Sequence, residues 1–483
     1  MKKMNLLVMS LVSAAALSFS SCSSNDDLTG GGSGNQSQVE GFYMTFAVQT
    51  PTSNGTRTQQ PTDENFKVAG TTEETKITSG TFYLVNQKTK KIVFTKNITA
   101  SELNNAAPES PVKGTTTTKI EVPVQDVDEN VDYIVYFLAN TTDAKPWENT
   151  YTASTGFTGA YATDNNFVMF NQNDKNSHAD KYIVKFEAAN KEISNPAKVS
   201  ETIMLDRVTA RIDKPETEAT SITAKYPEGA DAKKKAAIDA EIAKVKTVTQ
   251  SNYAITNLSN MTNIMQKWDA TWTALQLPEG NTHMQKSGDL GDQWTLNNYG
   301  WFANAAKNYV FENAKETPTT MYFEYKLGLD ETKFTDTPDC TDGTFYRYNG
   351  VIYRSIAAIY AAYADQPILF GGKTAEALKG ELKIADGKIT ATDAELATFR
   401  KTNVIEVFVE GKTYYSQVIT DKWLGTNTIQ RNTVYKLNVK NIYNLGADVP
   451  NGKPDENKPM YYLDVEVSVN PWVLSTQDVN LGE

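Results

Sequence analysis

Only two histidines, His178 and His283, stand in the 483 residues, and both lie in polar, loop-like sequence without a neighbouring partner. A serine hydrolase needs one of them beside a nucleophile, yet no Gly-x-Ser-x-Gly elbow accompanies either. Zinc needs more histidine or cysteine than the chain contains. Phosphate loops and dinucleotide glycine patterns are absent. The Asp- and Asn-rich run from Asp164 to Asp174 lacks the spacing of a calcium loop and reads as a solvated turn. Acids are plentiful, but no local pattern selects a carboxylate pair for hydrolysis. The chain therefore reads as a non-enzyme with no cofactor and no metal.

Two residues offer chemistry of another kind. Met1 to Ser21 has a basic start at Lys2 and Lys3, an apolar stretch from Leu6 to Leu17 and small residues before Cys22, the layout of an export signal. Cys22 follows Phe19-Ser20-Ser21 as in a bacterial lipobox, whose cysteine is acylated and becomes the first mature residue. The position three before it is usually aliphatic and is Phe19 here. A plain signal peptide with an incidental cysteine is the alternative. With Cys22 lipidated, Cys340 is the only cysteine left and no intrachain disulfide forms. The second residue is Arg57, the only arginine before Arg207, in a polar loop where a protease cutting between Arg57 and Thr58 would find an extended substrate. An arginine on a solvated loop is the bland alternative.

The formal charge of −11 excludes nucleic acid as a natural partner. Length suggests two domains, and abundant Tyr, Phe, Thr and Asn favour strands joined by polar turns. No stretch after the leader is long and apolar enough to span a bilayer, so attachment is expected by lipid or not at all.

Residues 22–38 are nearly all small or polar and form a tether. From Val39 to Thr50 the chain alternates, with Phe42, Met44, Phe46 and Val48 on one face, as a half-buried strand requires. Further strands are expected over Gly80–Val85, Lys119–Val124, Tyr133–Ala139, Asn166–Phe170, Tyr182–Glu187 and Thr202–Ile212. The first domain then ends before residue 216. A helix is expected over Ala230–Val248, with Ile238, Ile242 and Val245 at helical spacing, and strands over Thr247–Leu258 and Thr319–Lys326. Two hairpins follow, Tyr346–Tyr353 turning at Asn349-Gly350 and Val404–Ile419 turning near Glu410-Gly411. A short helix starts at Thr392 or Asp393 and carries Leu396 and Phe399. The last strands are Val434–Ile442 and, after a proline- and acid-rich loop, a terminal one with Leu463, Val465, Val467 and Val469 in phase, ended by Pro471 and Trp472.

A strand tethered by so long a loop can leave its own domain and pair elsewhere; a final strand packed at home is the alternative. If cleavage at Arg57 releases Val39–Thr50, the first domain exposes an apolar groove, and the terminal strand of a second molecule carries four aliphatic side chains at the matching period. Burying them contributes about 1.5 to 3 kcal/mol each before ordering costs. Such a contact is heterologous and grows an open fibre.

The residues resemble a known family, the Mfa-like major fimbrial subunits of Bacteroidales type V pili. The resemblance rests on Met44-Thr45-Phe46, Ala69-Gly70-Thr71-Thr72-Glu73-Glu74, Tyr136-Phe137-Leu138-Ala139-Asn140 and Asn166-Phe167-Val168-Met169. It continues in Asp206-Arg207-Val208-Thr209-Ala210-Arg211, Tyr253-Ala254-Ile255-Thr256-Asn257, Tyr414-Tyr415 and Arg431-Asn432-Thr433-Val434-Tyr435-Lys436-Leu437, and closes with Val467-Ser468-Val469-Asn470-Pro471-Trp472. It implies a mainly β protein of two β-sandwich-like (transthyretin-like) domains with a few short helices, spanning 39–215 and 216–483. It also implies lipid delivery to the outer membrane, an arginine-specific protease, and polymerisation with copies of itself and related fimbrial subunits. Arg57 matches the cleavage arginine, 39–57 the removable segment, and Leu463–Val473, within 460–483, the donor end. The helix at 230–248 belongs to no quoted family pattern. Having both a processing site and a donor strand favours a stalk subunit of an extracellular fimbrium. The rival reading is an accessory or tip adhesin that binds glycans or host or bacterial surface receptors, with Trp268, Trp272, Trp294 and Trp301 as stacking platforms. A surface hydrolase ranks third.

Overall fold

The computed structural model describes residues 41–50, 71–104, 115–175, 177–286, 306–366, 368–421, 424–450, 462–470 and 474–479. Cys22, Arg57, Thr58, Trp294, Trp301 and Trp472 lie outside them. The molecule is mainly β with a few short helices, and the described residues pack as one compact unit.

In chain order the nine strands of the first sheet are β1 (Gly41–Gln49), β2 (Ser79–Asn86), β3 (Ile92–Thr99), β4 (Thr115–Pro123), β5 (Asp132–Ala139), β6 (Met169–Asn171), β7 (Ile183–Lys185), β8 (Ala197–Lys198) and β9 (Ile203–Arg207). They form one sheet in the order β8-β1-β9-β6-β5-β2-β3, with β4 on β1 and β7 on β5. The uninterrupted apolar run Tyr133–Ala139 is explained by burial on both faces. Tyr133, Val135 and Phe137 enter one core with the β1 residues, while Ile134, Tyr136 and Leu138 enter a second on the opposite face.

The expected strand Thr202–Ile212 is two strands in different sheets. After β9 the chain crosses at Val208-Thr209 into β10 (Ala210–Asp213), which pairs with β12 (Lys307–Val310) and β18 (Val434–Tyr443). Two further strands, β19 (Tyr462–Asn470) and β20 (Leu474–Val479), extend that sheet beyond β18. A third sheet joins β11 (Val245–Thr256), β13 (Thr320–Leu329) and β17 (Lys412–Val418), and a fourth joins β15 (Val351–Tyr353), β14 (Phe345–Tyr348) and β16 (Glu406–Phe408).

The helix expected over 230–248 is shorter. A four-residue helix, α1 (Thr72–Thr75), precedes it, and α2 runs only Ala232–Ile242, capped by the Asp231 carboxylate on the Lys234 N–H at 2.7 Å. Val245 belongs to β11. Its neighbours Thr247 and Thr249 continue a period of two, and β-branched residues prefer the pleated surface. No α2 residue is fully buried.

Asn349-Gly350 turns as expected, both residues at positive φ (50° and 81°). Val404–Ile419 is not a hairpin. β16 pairs with β14 and β17 with β13, so the bend at Glu410-Gly411 carries the chain from one sheet to another. Gly411, at φ 74°, lies where a Cβ would overlap the Leu327 carbonyl oxygen. Between β15 and β16 the sequence reading missed two helices, α3 (Ile356–Ala362) and α4 (Ala375–Leu382), and found α5 (Asp393–Asn403) with its Thr392 cap. Their Ile356, Ile359, Leu378, Leu382, Leu396 and Phe399 make a separate core against Tyr346 and Val407.

Candidate functional site: the seat of the first strand

Phe42, Met44, Phe46 and Val48 are each no more than 2% exposed. Along one edge, all nine residues of β1 pair antiparallel with β4, from Gly41 opposite Pro123 to Gln49 opposite Thr115. Parallel pairings join Met44 to Ala197 on β8 and Val48 to Ile203 on β9. The two phenylalanines fill distinct aromatic seats. The Phe42 ring lies 5.3 Å from that of Phe186, and Phe46 lies 5.0 Å from Phe82 and 5.8 Å from Phe137. Gly80 makes this packing feasible, since a Cβ there would overlap the Phe137 ring. β1 is thus an interior strand of its sheet, and among the described residues it is the only strand that β4 pairs with.

Beyond residues 51–70 the chain is fixed at one acid. Glu74 is fully buried at the end of a tight turn, its carboxylate accepting from the Thr71 backbone N–H at 3.0 Å. The same carboxylate meets the Arg211 guanidinium at 2.7 Å, Lys307 Nζ at 3.0 Å and the Tyr309 hydroxyl at 2.7 Å. Burial pushes this carboxyl up, but Arg211, Tyr309, Thr71 and Lys307 outweigh it and hold it at about 2. Arg207, also fully buried, donates from Nε to the Glu74 carbonyl at 2.7 Å and from its Nη1 to Asn432 at 2.7 Å, while Asn432 donates to Asp206 at 3.0 Å. Arg431 next door donates to the Ile264 carbonyl at 2.7 Å and pairs with Glu312 at 2.8 Å. Three stretches that carried the family resemblance, Thr71–Glu74, Asp206–Arg211 and Arg431–Thr433, meet in this network. The sequence reading assigned it no role. Its one local signal was a Thr-x-x-Glu capping pattern.

The far end of the chain sits beside β18. Register places Leu463, Val465, Val467 and Val469 opposite Ile442, Val439, Leu437 and Tyr435, with an irregularity between Val439 and Asn441. The following strand, β20, was not expected. It pairs back on β19 through Val465 opposite Val479 to Asn470 opposite Leu474.

His178 stacks on Trp272 with ring centroids 4.3 Å apart, and His283 Nε2 lies 2.8 Å from the Asn313 side-chain oxygen. Trp268 spends its indole N–H on the Asn173 carbonyl at 2.9 Å. Among the described residues no group of three or more His, Cys, Asp or Glu is arranged to hold a metal ion, and no helix is long and apolar enough to cross a membrane. A cavity of about 240 Å³ between α2 and the β14–β15 turn is walled by Ala237, Ile238, Ile242, Val245 and Ile352. Arg347 at its rim is bound to Glu406 at 2.5 and 2.7 Å.

Residues 406–478, from β16 into β20, match the family model described as major fimbrial subunit protein type IV, fimbrillin, C-terminal. The matched stretch contains β18 and β19 and supplies Arg431 and Asn432 to the buried network. The chain is also similar to a fimbrilin from Porphyromonas gingivalis W83, at 15% identity and a TM-score of 0.40, covering 90% of this chain and 98% of that one. A cell adhesion protein from Parabacteroides distasonis ATCC 8503 is similar at 14% identity and a TM-score of 0.42, covering 91% and 99%. No curated protein matches the chain in sequence.

Proposed function

We propose that the chain is a structural, non-enzymatic stalk subunit of a cell-surface fimbrium, exported as a lipoprotein precursor anchored through Cys22. Cleavage between Arg57 and Thr58 frees β1, and the C-terminal segment 460–483 of another copy or a related subunit takes its seat. Residues 39–215 then serve as the acceptor domain and 216–483 as the donor domain. The observation that carries this reading is the seat itself, four apolar positions at a period of two, buried between β4 and β8–β9 and joined to the rest of the chain through the stretch that contains Arg57. The fimbrillin match over the terminal strands supports it.

Limited digestion with an arginine-specific protease tests the reading. Selective cutting after Arg57 should be followed by SDS-resistant ladders. Removing residues 460–483 should leave a folded, cleavable chain that cannot pass a strand forward. Ladder growth by that shortened chain, or an uncut Arg57 in the native protein, would contradict it.

A further inference from the structure

The outward positions of β1, Tyr43, Thr45, Ala47 and Gln49, carry no charge, but the strands beside them do. Register sets Lys119 of β4 opposite Thr45, and Lys198 of β8 opposite the same threonine. Lys198 is exposed and makes no ion pair among the described residues, whereas Lys181, Lys185 and Lys191 are paired with Glu201, Asp132 and Glu129. A neutral residue thus occupies a position with a lysine in register on each side.

At the other end of the chain the mismatch has the opposite sign. Register in the home sheet places Glu466 of β19 opposite Asn438 of β18 and opposite Asp478 of β20. Like charges directly opposite on paired strands are destabilising.

The four aliphatic residues Leu463, Val465, Val467 and Val469 and the four seats of Phe42, Met44, Phe46 and Val48 have the same spacing. Glu466 is the midpoint of the first set and Thr45 of the second. Filling every seat therefore brings Glu466 to the Thr45 position whichever way the incoming strand runs. We propose that Glu466 is the residue that selects this tail for the acceptor slot of a second copy, being opposed by an acid at home and set between Lys119 and Lys198 after exchange. Charge complementarity of this kind fixes register and rejects mismatched strands more than it adds raw affinity. The inference rests on the strand-exchange reading and goes beyond it, since exchange driven by apolar burial alone would be indifferent to the charge at position 466.

The test uses the full chain cut after Arg57 and freed of its β1 peptide. The probe is a fluorescent peptide of residues 462–470, its affinity read by anisotropy at about 20 mM and about 1 M salt. The Glu466→Lys peptide should bind roughly tenfold more weakly than the parent in low salt, with the gap closing in high salt. The exposed Lys198→Glu chain, whose uncut form should melt as the parent does, keeps only Lys119 beside the Thr45 position and should lose most of that preference for the parent peptide. Equal binding of the two peptides in low salt, or an unchanged preference in the Lys198→Glu chain, overturns the selector while leaving strand exchange standing. If neither tail peptide nor a peptide of residues 41–49 binds, both fall.

Discussion

At the residue scale the energetics concentrate on Glu74. A buried carboxylate is tolerable only when its charge is answered, and here two cations, a phenol and a backbone N–H answer it. Removing the charge with Glu74→Gln leaves Arg211 paired with Asp213 alone and breaks the buried ion pairs to Arg211 and Lys307, and loss of a buried partner typically costs about 3 to 5 kcal/mol. Urea unfolding should show a loss of that order, and a loss below about 1 kcal/mol would mean that the network is dispensable. The pH dependence has a definite sign. Folded Glu74 titrates at about 2, against an ordinary value of 4.5, so the folded chain binds fewer protons between those values. Its contribution is complete above pH 4.5 and vanishes as pH falls to about 2, so over that range the parent should lose more stability than Glu74→Gln. None of this was legible along the sequence. Glu74, Arg211 and Tyr309 are far apart in the chain, and an acid in Thr-Thr-Glu-Glu looks like surface until the fold closes.

At the element scale, period and turn chemistry did most of the work. The alternation in β1, the Asn349-Gly350 turn and the Thr392 cap were readable because each is a local preference that the packing agrees with. The C-terminal end of α2 was not, since Val245 fits both a helical stripe and a strand alternation, and pairing with β13 decides for the strand. The segment around Glu410-Gly411 has good turn residues, but local chemistry does not say which strand each arm will meet. The two glycines should therefore respond differently to alanine. Gly350 is open to space, so its change carries only the left-handed penalty of about 1 to 2 kcal/mol. Gly411→Ala must also displace the Leu327 carbonyl, and thermal melting should rank it clearly worse. Equal melting temperatures would contradict the packing described. In β1, Phe46→Ala empties a seat lined by Phe82 and Phe137 and should cost about 3 to 5 kcal/mol in the uncut chain. A cost no greater than that of an exposed substitution would show that β1 is loosely held even before processing.

At the scale of the whole molecule, the buried network joins the sheet that holds β1 to the sheet that houses the terminal strands. Arg207 at the end of β9 holds Asn432 just before β18, while Glu74 holds the turn at Thr71–Glu74. A cut at Arg57 would therefore leave the chain from Thr71 onward pinned while β1 departs. The proposed exchange of β1 requires such an arrangement, one strand replaceable and the rest anchored. Both ends of the proposed mechanism were legible in the sequence as alternating strands, but not the anchor between them, whose parts come from three distant stretches.

The central claim is that the β1 seat is where a second molecule binds, and electron microscopy of protein cut after Arg57, with and without an excess of a peptide of residues 39–50, tests it most directly. Fibres should grow from the cut protein alone, and the added peptide should keep it monomeric by refilling the seat. Cut protein that stays single and fully folded after its own β1 peptide has been removed, or fibres that grow regardless of the added peptide, would contradict the account.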